Sequence, residues 1–170
     1  MPAKRGNVQP KASRPNIPGY GILDANQGQG LLPWSWARER LAKSHNYWVS
    51  TVRPDGRPHT MPIWGVWVDD RFYFSTGRQS RKARNLAANA ACIVCTERAD
   101  EAVIVEGVAE EVSKTSRIPH VARAYYRKYK WKLDPSLGPI FSVRPRVSFG
   151  FIEHDAQFIS TATRWTFEGK

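Results

Sequence analysis

The residues best suited to chemistry lie in one stretch, Phe72 to Leu86, which reads FYFSTGRQSRKARNL. Phe72, Tyr73 and Phe74 are bulky aromatics of the kind that favour strands. Ser75 to Gln79 interrupt them with a glycine and polar side chains, a turn signal. From Ser80 the spacing becomes helical, with Ala83, Leu86 and Ala87 on one face and Ser80 placed as N-cap. Arg81, Lys82 and Arg84 then crowd a helix start, where the helix dipole disfavours cations. An anion bound there compensates the conflict, because it meets unpaired N–H groups and positive charge together. With hydroxyls from Ser75, Thr76 and Ser80, the pattern reads as a phosphate seat. The bland counterpart is a solvated basic helix start, and the stretch taken alone leaves the two level.

No constellation for self-sufficient catalysis accompanies the seat. There is no G-x-S-x-G and no H-E-x-x-H, and the histidines are only His45, His59, His120 and His154. An enzyme built this way leaves the electron chemistry to a cofactor and supplies binding, orientation and electrostatics. Cys92 and Cys95 make a C-x-x-C, but in ACIVCT, a β-branched strand pattern, positions three apart point to opposite faces. A second pair of metal ligands is missing. Both read as reduced core thiols, with no metal site.

The elements that must position the seat follow from the rest of the chain. At 170 residues, 41% apolar, one domain with a substantial core is the economical expectation. Residues 1–32 carry four prolines, five glycines and the bases Lys4, Arg5, Lys11 and Arg14, and read as a flexible or wrapping basic arm ahead of a domain over 33–170. Trp34, Ala37 and Leu41 mark a short helix to Lys43. Tyr47–Val52 is a strand, Pro54-Asp55-Gly56 a tight turn, and His59–Val68 the returning strand, closed by Asp69-Asp70. After a helix at Lys82–Ala90 come strands at Cys92–Thr96 and Val103–Val112, with Gly107 a candidate bulge. A strongly basic helix spans 116–132, its polar side lined by Arg123, Arg127, Lys128, Lys130 and Lys132. Strands at Arg146–Ile152 and Arg164–Phe167 close the chain. Short strands joined by tight turns predict an antiparallel barrel, in which HTMPIWGVWV and AVIVEGVAEEV could close on one another. A net charge of +11 concentrates anions near the surface without choosing among them. No apolar run reaches membrane-spanning length and no secretory leader is evident, so a soluble cytoplasmic protein is expected.

Three pieces in order resemble the flavin-binding split-barrel superfamily, the pyridoxamine 5′-phosphate oxidase-like and flavin/deazaflavin oxidoreductases. They are the phosphate element, the strand TVRPDGRPHTMPIWGVW (51–67) and the tail TATRW (161–165), and the resemblance covers about 34–167. It implies a mainly β fold, a split antiparallel β-barrel with a few flanking helices, which dimerises with its cofactor in clefts between subunits. Carried over by residue, it places Ser75, Thr76, Ser80, Arg81 and Lys82 around the cofactor phosphate. It sets the backbone of Thr60, Met61 and Pro62 beside the tricyclic ring, and sends Arg164 and Trp165 toward the neighbouring subunit's cofactor. His59 is a candidate substrate or ring contact, more often a surface or satisfied histidine, and no catalytic residue is assigned. The ring-side strand lacks the Arg and Lys of vitamin-B6 oxidases, and TATRW lacks their Arg-x-His. The resemblance therefore leans to the actinobacterial flavin/deazaflavin enzymes. It implies an oxidoreductase passing hydride from coenzyme F420 to a small unsaturated or quinone-like substrate, with FMN the alternative cofactor. A flavin- or haem-binding module without turnover and a nucleic-acid binder, using YYRKYKWK (125–132) to stack on single strands, are the competing classes; the second is the weakest.

Overall fold

A computed structural model describes residues 9–112, 117–154 and 156–168. Among these described residues nine strands form one antiparallel sheet, β1 (Lys11–Ser13), β2 (Tyr47–Val52), β3 (Pro58–Ile63), β4 (Val66–Val68), β5 (Arg71–Ser75), β6 (Ala91–Thr96), β7 (Glu101–Glu111), β8 (Ile140–Ile152) and β9 (Thr163–Thr166), and four helices flank it, α1 (Trp34–Lys43), α2 (Arg81–Ala88), α3 (Ile118–Tyr129) and α4 (Gln157–Thr161).

β8 explains the architecture. Its whole length pairs with β7, while its other edge serves two strands in turn, β5 along Ile140–Val143 and β9 along Val147–Gly150. Followed through β5, the ladder runs β4-β5-β8-β7-β6-β2-β3. Its two ends, β3 and β4, are consecutive in the chain, joined by Trp64 and Gly65, and no ladder links them among the described residues. The barrel is split there. The expected closure of the His59–Val68 stretch on β7 is not found: β3 pairs β2 alone, and β7 pairs β6 and β8. That stretch is two strands rather than one, because the chain bends at Gly65, where a Cβ would overlap the fully buried Phe72 ring.

Alternation decides the core. Tyr47, Val49 and Thr51 of β2 point inward, with Val94, Val103, Val105 and Val143 from the neighbouring strands. The aromatic triplet Phe72, Tyr73 and Phe74 is buried on both faces, since Tyr73 enters a second cluster under α3 with Val66, Val121 and Tyr125. Asp69 and Asp70 both take positive φ, the turn expected between β4 and β5. A register shift falls at Glu106/Gly107, where Arg146 is the extra residue on β8; a Cβ on Gly107 would lie 2.5 Å from the Arg144 carbonyl oxygen. Cys92 pairs with Thr51 and Cys95 with Trp48, so the two thiols do face opposite sides, free, and burial raises both, Cys92 to about 12. Trp67 packs on the core while Trp64, at the break between β3 and β4, is exposed.

β1 lies in the arm, where sequence shows no periodic signal, and pairs with β9. What holds it is Arg14. Its guanidinium donates to the carbonyls of Ala162 (3.0 Å), Ser160 (2.8 Å), Asp24 (3.2 Å) and Gln27 (3.2 Å), closing the segment after β1 onto α4. Arg14→Ala is expected to strip hydrogen-exchange protection from residues 11–13 and 163–166 while leaving β6 and β7 protected. Unchanged exchange at the arm would show that strand pairing alone secures it.

Candidate functional site

α2 sets the geometry of the seat. Ser80 caps it, its Oγ accepting from the Ala83 N–H at 3.2 Å and lying 3.1 Å from Thr76 Oγ1. Arg84 N–H reaches the Ser80 carbonyl, which leaves the amides of Arg81 and Lys82 at the open end of the helix. Ser75 is turned away: its hydroxyl donates to the Pro139 carbonyl at 3.2 Å, and the Thr76 N–H reaches the same oxygen at 3.3 Å. Thr76, Ser80, Arg81 and Lys82 thus share one helix start, with Ser75 bracing the loop behind it. Gly138 completes the brace, since a Cβ there would overlap the Thr76 carbonyl.

The helix is docked by a buried amide. Asn85, fully buried, donates through Nδ2 to Thr51 Oγ1 at 2.9 Å, tying α2 to the inner face of β2. Thr51 stands opposite His59 in the β2–β3 ladder, so the tie brings the helix start to the hairpin. The consequence is electrostatic. The His59 imidazole is held below its ordinary pKa, first by burial and then by the charges of Arg53, Lys82 and Arg81. Lys82, half-buried, is lowered by desolvation. Asp55, which also feels Arg53 and Arg81, is committed to Arg57 through hydrogen bonds of 2.7 and 3.0 Å. Two buried polar atoms here have no partner among the described residues, His59 Nδ1 and Arg53 Nε. A cationic cluster with unpartnered buried nitrogens and a desolvated lysine fits a phosphate group. Arg53 escaped sequence reasoning; its only signal is its place two residues beyond Thr51 at the end of β2.

The phase of the β2–β3 ladder decides which backbone groups of β3, the strand expected beside the cofactor ring, face outward. The Arg53 N–H donates to the Arg57 carbonyl at 2.9 Å, so that pair is hydrogen-bonded. Bonded and non-bonded pairs alternate along an antiparallel ladder. Thr51/His59, Val49/Met61 and Tyr47/Ile63 are therefore bonded, whereas Val52/Pro58, Ser50/Thr60 and Trp48/Pro62 are not. The backbone groups of Pro58, Thr60 and Pro62 point out from the free edge of β3, where Thr60 supplies the single N–H among three carbonyls. Met61 spends its backbone on β2 and offers only its exposed side chain. Prolines on both sides of Thr60 also keep another strand from adding to this edge.

Arg164 and Trp165 are not brought to the seat. Trp165 is 1% exposed, its ring 5.3 Å from that of Trp34 in the core. Arg164 is bonded to Thr166 Oγ1 at 2.7 Å and pairs with Phe149, whereas Ser75 pairs with Ile140. Those two positions on β8 are nine residue steps apart, roughly 30 Å of strand at about 3.3 Å per residue. Within one chain the tail and the seat are separate.

Nor is the basic helix a single polar strip. Lys128 turns inward between the Tyr47 and Tyr129 rings, donating to Tyr47 Oη at 2.6 Å and to the Gly65 carbonyl at 3.1 Å, and burial lowers its pKa to about 8. Arg78, beside the seat in sequence, is paired to Glu111 at 2.9 Å. His45 and Trp64 edge the Tyr129 ring, Trp64 stacked on it at 4.6 Å. Among the described residues no group of three or more His, Cys, Asp or Glu could hold a metal, and no helix is long and apolar enough to cross a membrane.

Comparison with known proteins meets this architecture from three directions. A solved F420 reductase is similar in fold, 24% identical, with a TM-score of 0.55 over 65% of this chain and 94% of that one. A haem-binding protein from Mycobacterium smegmatis is 15% identical, with a TM-score of 0.61 over 72% and 56%. At such identities the likeness is one of fold, the split barrel. The pyridoxine/pyridoxamine 5′-phosphate oxidase of Bacteroides thetaiotaomicron is 30% identical over 120 residues, 69% of this chain; the chain spans about half, 53%, of that relative's length. The family model of pyridoxamine 5′-phosphate oxidase matches residues 36–153, from α1 through the end of β8, and the chain belongs to that family.

Proposed function

We propose that the protein is an oxidoreductase that seats the phosphate of coenzyme F420 at the start of α2 and serves hydride transfer to a small unsaturated or quinone-like substrate. The observation that carries this reading is the cationic cluster at the start of α2, where the charges of Arg53, Lys82 and Arg81 all act on His59 and two buried nitrogens, His59 Nδ1 and Arg53 Nε, have no partner among the described residues. When bound, the deazaflavin supplies a two-electron hydride carrier. The chain's part is positional. The amides of Arg81 and Lys82 and the Thr76–Ser80 hydroxyls hold the phosphate, and the outward edge of β3 offers Thr60 N–H and flanking carbonyls to the ring's polar rim. His59, neutral at pH 7 because its pKa is depressed, can give or take one hydrogen bond at a substrate oxygen.

F420 is favoured over FMN on charge. FMN ends at one phosphate, whereas the deazaflavin continues into a lactyl-glutamate tail of several carboxylates. The seat carries Arg53 and Arg84 beyond Arg81 and Lys82, more than a single phosphate requires. Side-by-side fluorescence titration of apoprotein is expected to give F420 at least tenfold tighter binding, about 1.4 kcal/mol, with an affinity that falls as salt screens exposed charges over about 8–10 Å. Equal affinities, or FMN retained through purification, would promote the FMN-dependent reading.

The same proposal includes a homodimer. The outward face of β2 exposes Trp48 (46%) and Val52 (37%), two apolar side chains on one side of the sheet. A partner covering that face would bring its own tail segment to a seat that lacks one. Sedimentation equilibrium is expected to show a dimer at micromolar concentration; a monomer that still holds cofactor would defeat the shared-cleft arrangement.

A further inference from the structure

The outer side of α3 is a second cationic surface, unlike the seat in composition. The inner side of the helix is accounted for by Val121, Ala124, Tyr125 and Tyr129, which pack on Val66 and Tyr73. The outer stripe reads Arg123, Tyr126, Arg127, Lys130, spaced i, i+3, i+4, i+7, and all four are exposed. Lys130 takes the left-handed conformation at φ 55, which ends the helix and turns the chain back. Trp131 stands at this reversal, 61% exposed, and Lys132 and Leu133 return beside Ala122, Arg123 and Tyr126 to enclose a shallow groove of about 380 Å³.

Composition identifies the partner. Residues 117–133 contain no Asp or Glu, and Arg123, Arg127, Lys130 and Lys132 have no ion-pair partner among the described residues. The segment also lacks Asn, Gln, Ser and Thr, the neutral side chains that read base edges. It holds two amphipathic rings, Tyr126 and Trp131, among long basic side chains whose aliphatic stems can lie along an apolar boundary with their charges in water. We infer that this face docks on an anionic lipid surface, with Trp131 and Tyr126 at headgroup depth and the four bases against lipid phosphates and carboxylates. One such strip gives reversible, salt-sensitive attachment. The inference needs no cofactor and stands apart from the assignment at α2.

The full chain is mixed with phosphatidylcholine vesicles, with and without about 30 mol% phosphatidylserine, and pelleted at low and at about 0.5 M salt. Binding is expected only to the anionic vesicles and only at low salt. The variant Arg127→Glu/Lys130→Glu changes exposed residues alone and should bind at least tenfold more weakly with an unchanged melting temperature. Trp131→Ala should weaken vesicle binding several-fold while leaving retention on a single-stranded oligonucleotide unaltered, which separates ring insertion from charge attraction. Failure to pellet with anionic vesicles at low salt overturns the proposal, as does binding that the charge reversal leaves intact. Equal losses on vesicles and oligonucleotide in Trp131→Ala would assign the face to nucleic acid instead, and dissociation of an oligomer by the charge reversal would assign it to a second copy of the chain.

Discussion

Arg81→Ala/Lys82→Ala is expected to weaken cofactor binding by two orders of magnitude or more. Each charge-assisted contact to phosphate contributes on the order of 1.5–3 kcal/mol, and the pair, sharing one anion, should lose about 3 kcal/mol or more together, short of strict additivity. The fold should not suffer. Both side chains sit at a helix start whose dipole opposes them, so removing the charges relieves a conflict, and Asn85 still docks α2 on Thr51. Apoprotein melting is thus expected to hold or rise while affinity collapses. His59 gives a second readout. Its depressed pKa owes part of its shift to Lys82 and Arg81, so the double variant should titrate His59 at higher pH by NMR. In the wild type, inorganic phosphate should move the same resonance upward, because an anion favours the imidazolium. An unchanged dissociation constant in the double variant rejects the seat; an unmoved His59 rejects its place beside it.

How far the sequence carried this picture depends on whether a signal was local. Ser80 as cap, the basic first turn and the Asp69-Asp70 turn each sit within a few residues of their cause, and each is found where its chemistry puts it, whereas the register shift at Gly107 carries its extra residue, Arg146, on the partner strand. Arg53 was invisible because what makes it part of the site is the Asn85 tie, which brings α2 to the β2–β3 hairpin from 34 residues away. β1 has three residues and no alternation to read; four carbonyls around Arg14 hold the segment beside it. The break at Trp64-Gly65 was masked by an apolar run that continues through it, while the reason for it, the Phe72 ring under Gly65, comes from another strand. β8 begins at Ile140, six residues before the expected Arg146, because Pro145 reads as a strand boundary yet sits at the register shift opposite Gly107. Of the three ring-side residues carried over by resemblance, Thr60 and Pro62 face the open edge, whereas Met61 gives its backbone to β2.

Lys128 is the residue whose role helical periodicity misassigned, and it is expected to shape how stability responds to alkali. Its ammonium is held between Tyr47 and Tyr129, bonded to Tyr47 Oη and the Gly65 carbonyl, with Glu97 the opposite charge that partly offsets burial. His45 edges the same rings and Tyr125 packs on Tyr129. The folded pKa of about 8 lies below the ordinary 10.5, so the folded state binds the proton less well than the unfolded chain. The cost of keeping Lys128 charged is present in full below pH 8 and fades as pH rises toward 10.5; stability should therefore climb across pH 8–10. Tyr47 and Tyr129 bound the window. Burial raises both, Tyr129 to about 12, so above pH 10 the unfolded chain loses phenolic protons first and stability turns down. Lys128→Met keeps the stem and removes the charge. Tyr47 Oη still donates to the Leu41 carbonyl at 2.5 Å, and the Gly65 carbonyl shares the single Tyr129 phenolic proton, at 2.8 Å, with the His45 carbonyl at 2.7 Å. After discounting the shift for the water the amine still meets, the variant should be roughly 1–2 kcal/mol more stable than wild type at pH 7 and equal to it near pH 10. Denaturant unfolding at pH 7, 8, 9 and 10 measures this directly. A variant less stable than wild type at pH 7 would mean that the ammonium's bonds and ring contacts outweigh its desolvation. Parallel pH profiles for the two proteins would mean that Lys128 does not titrate in the window at all.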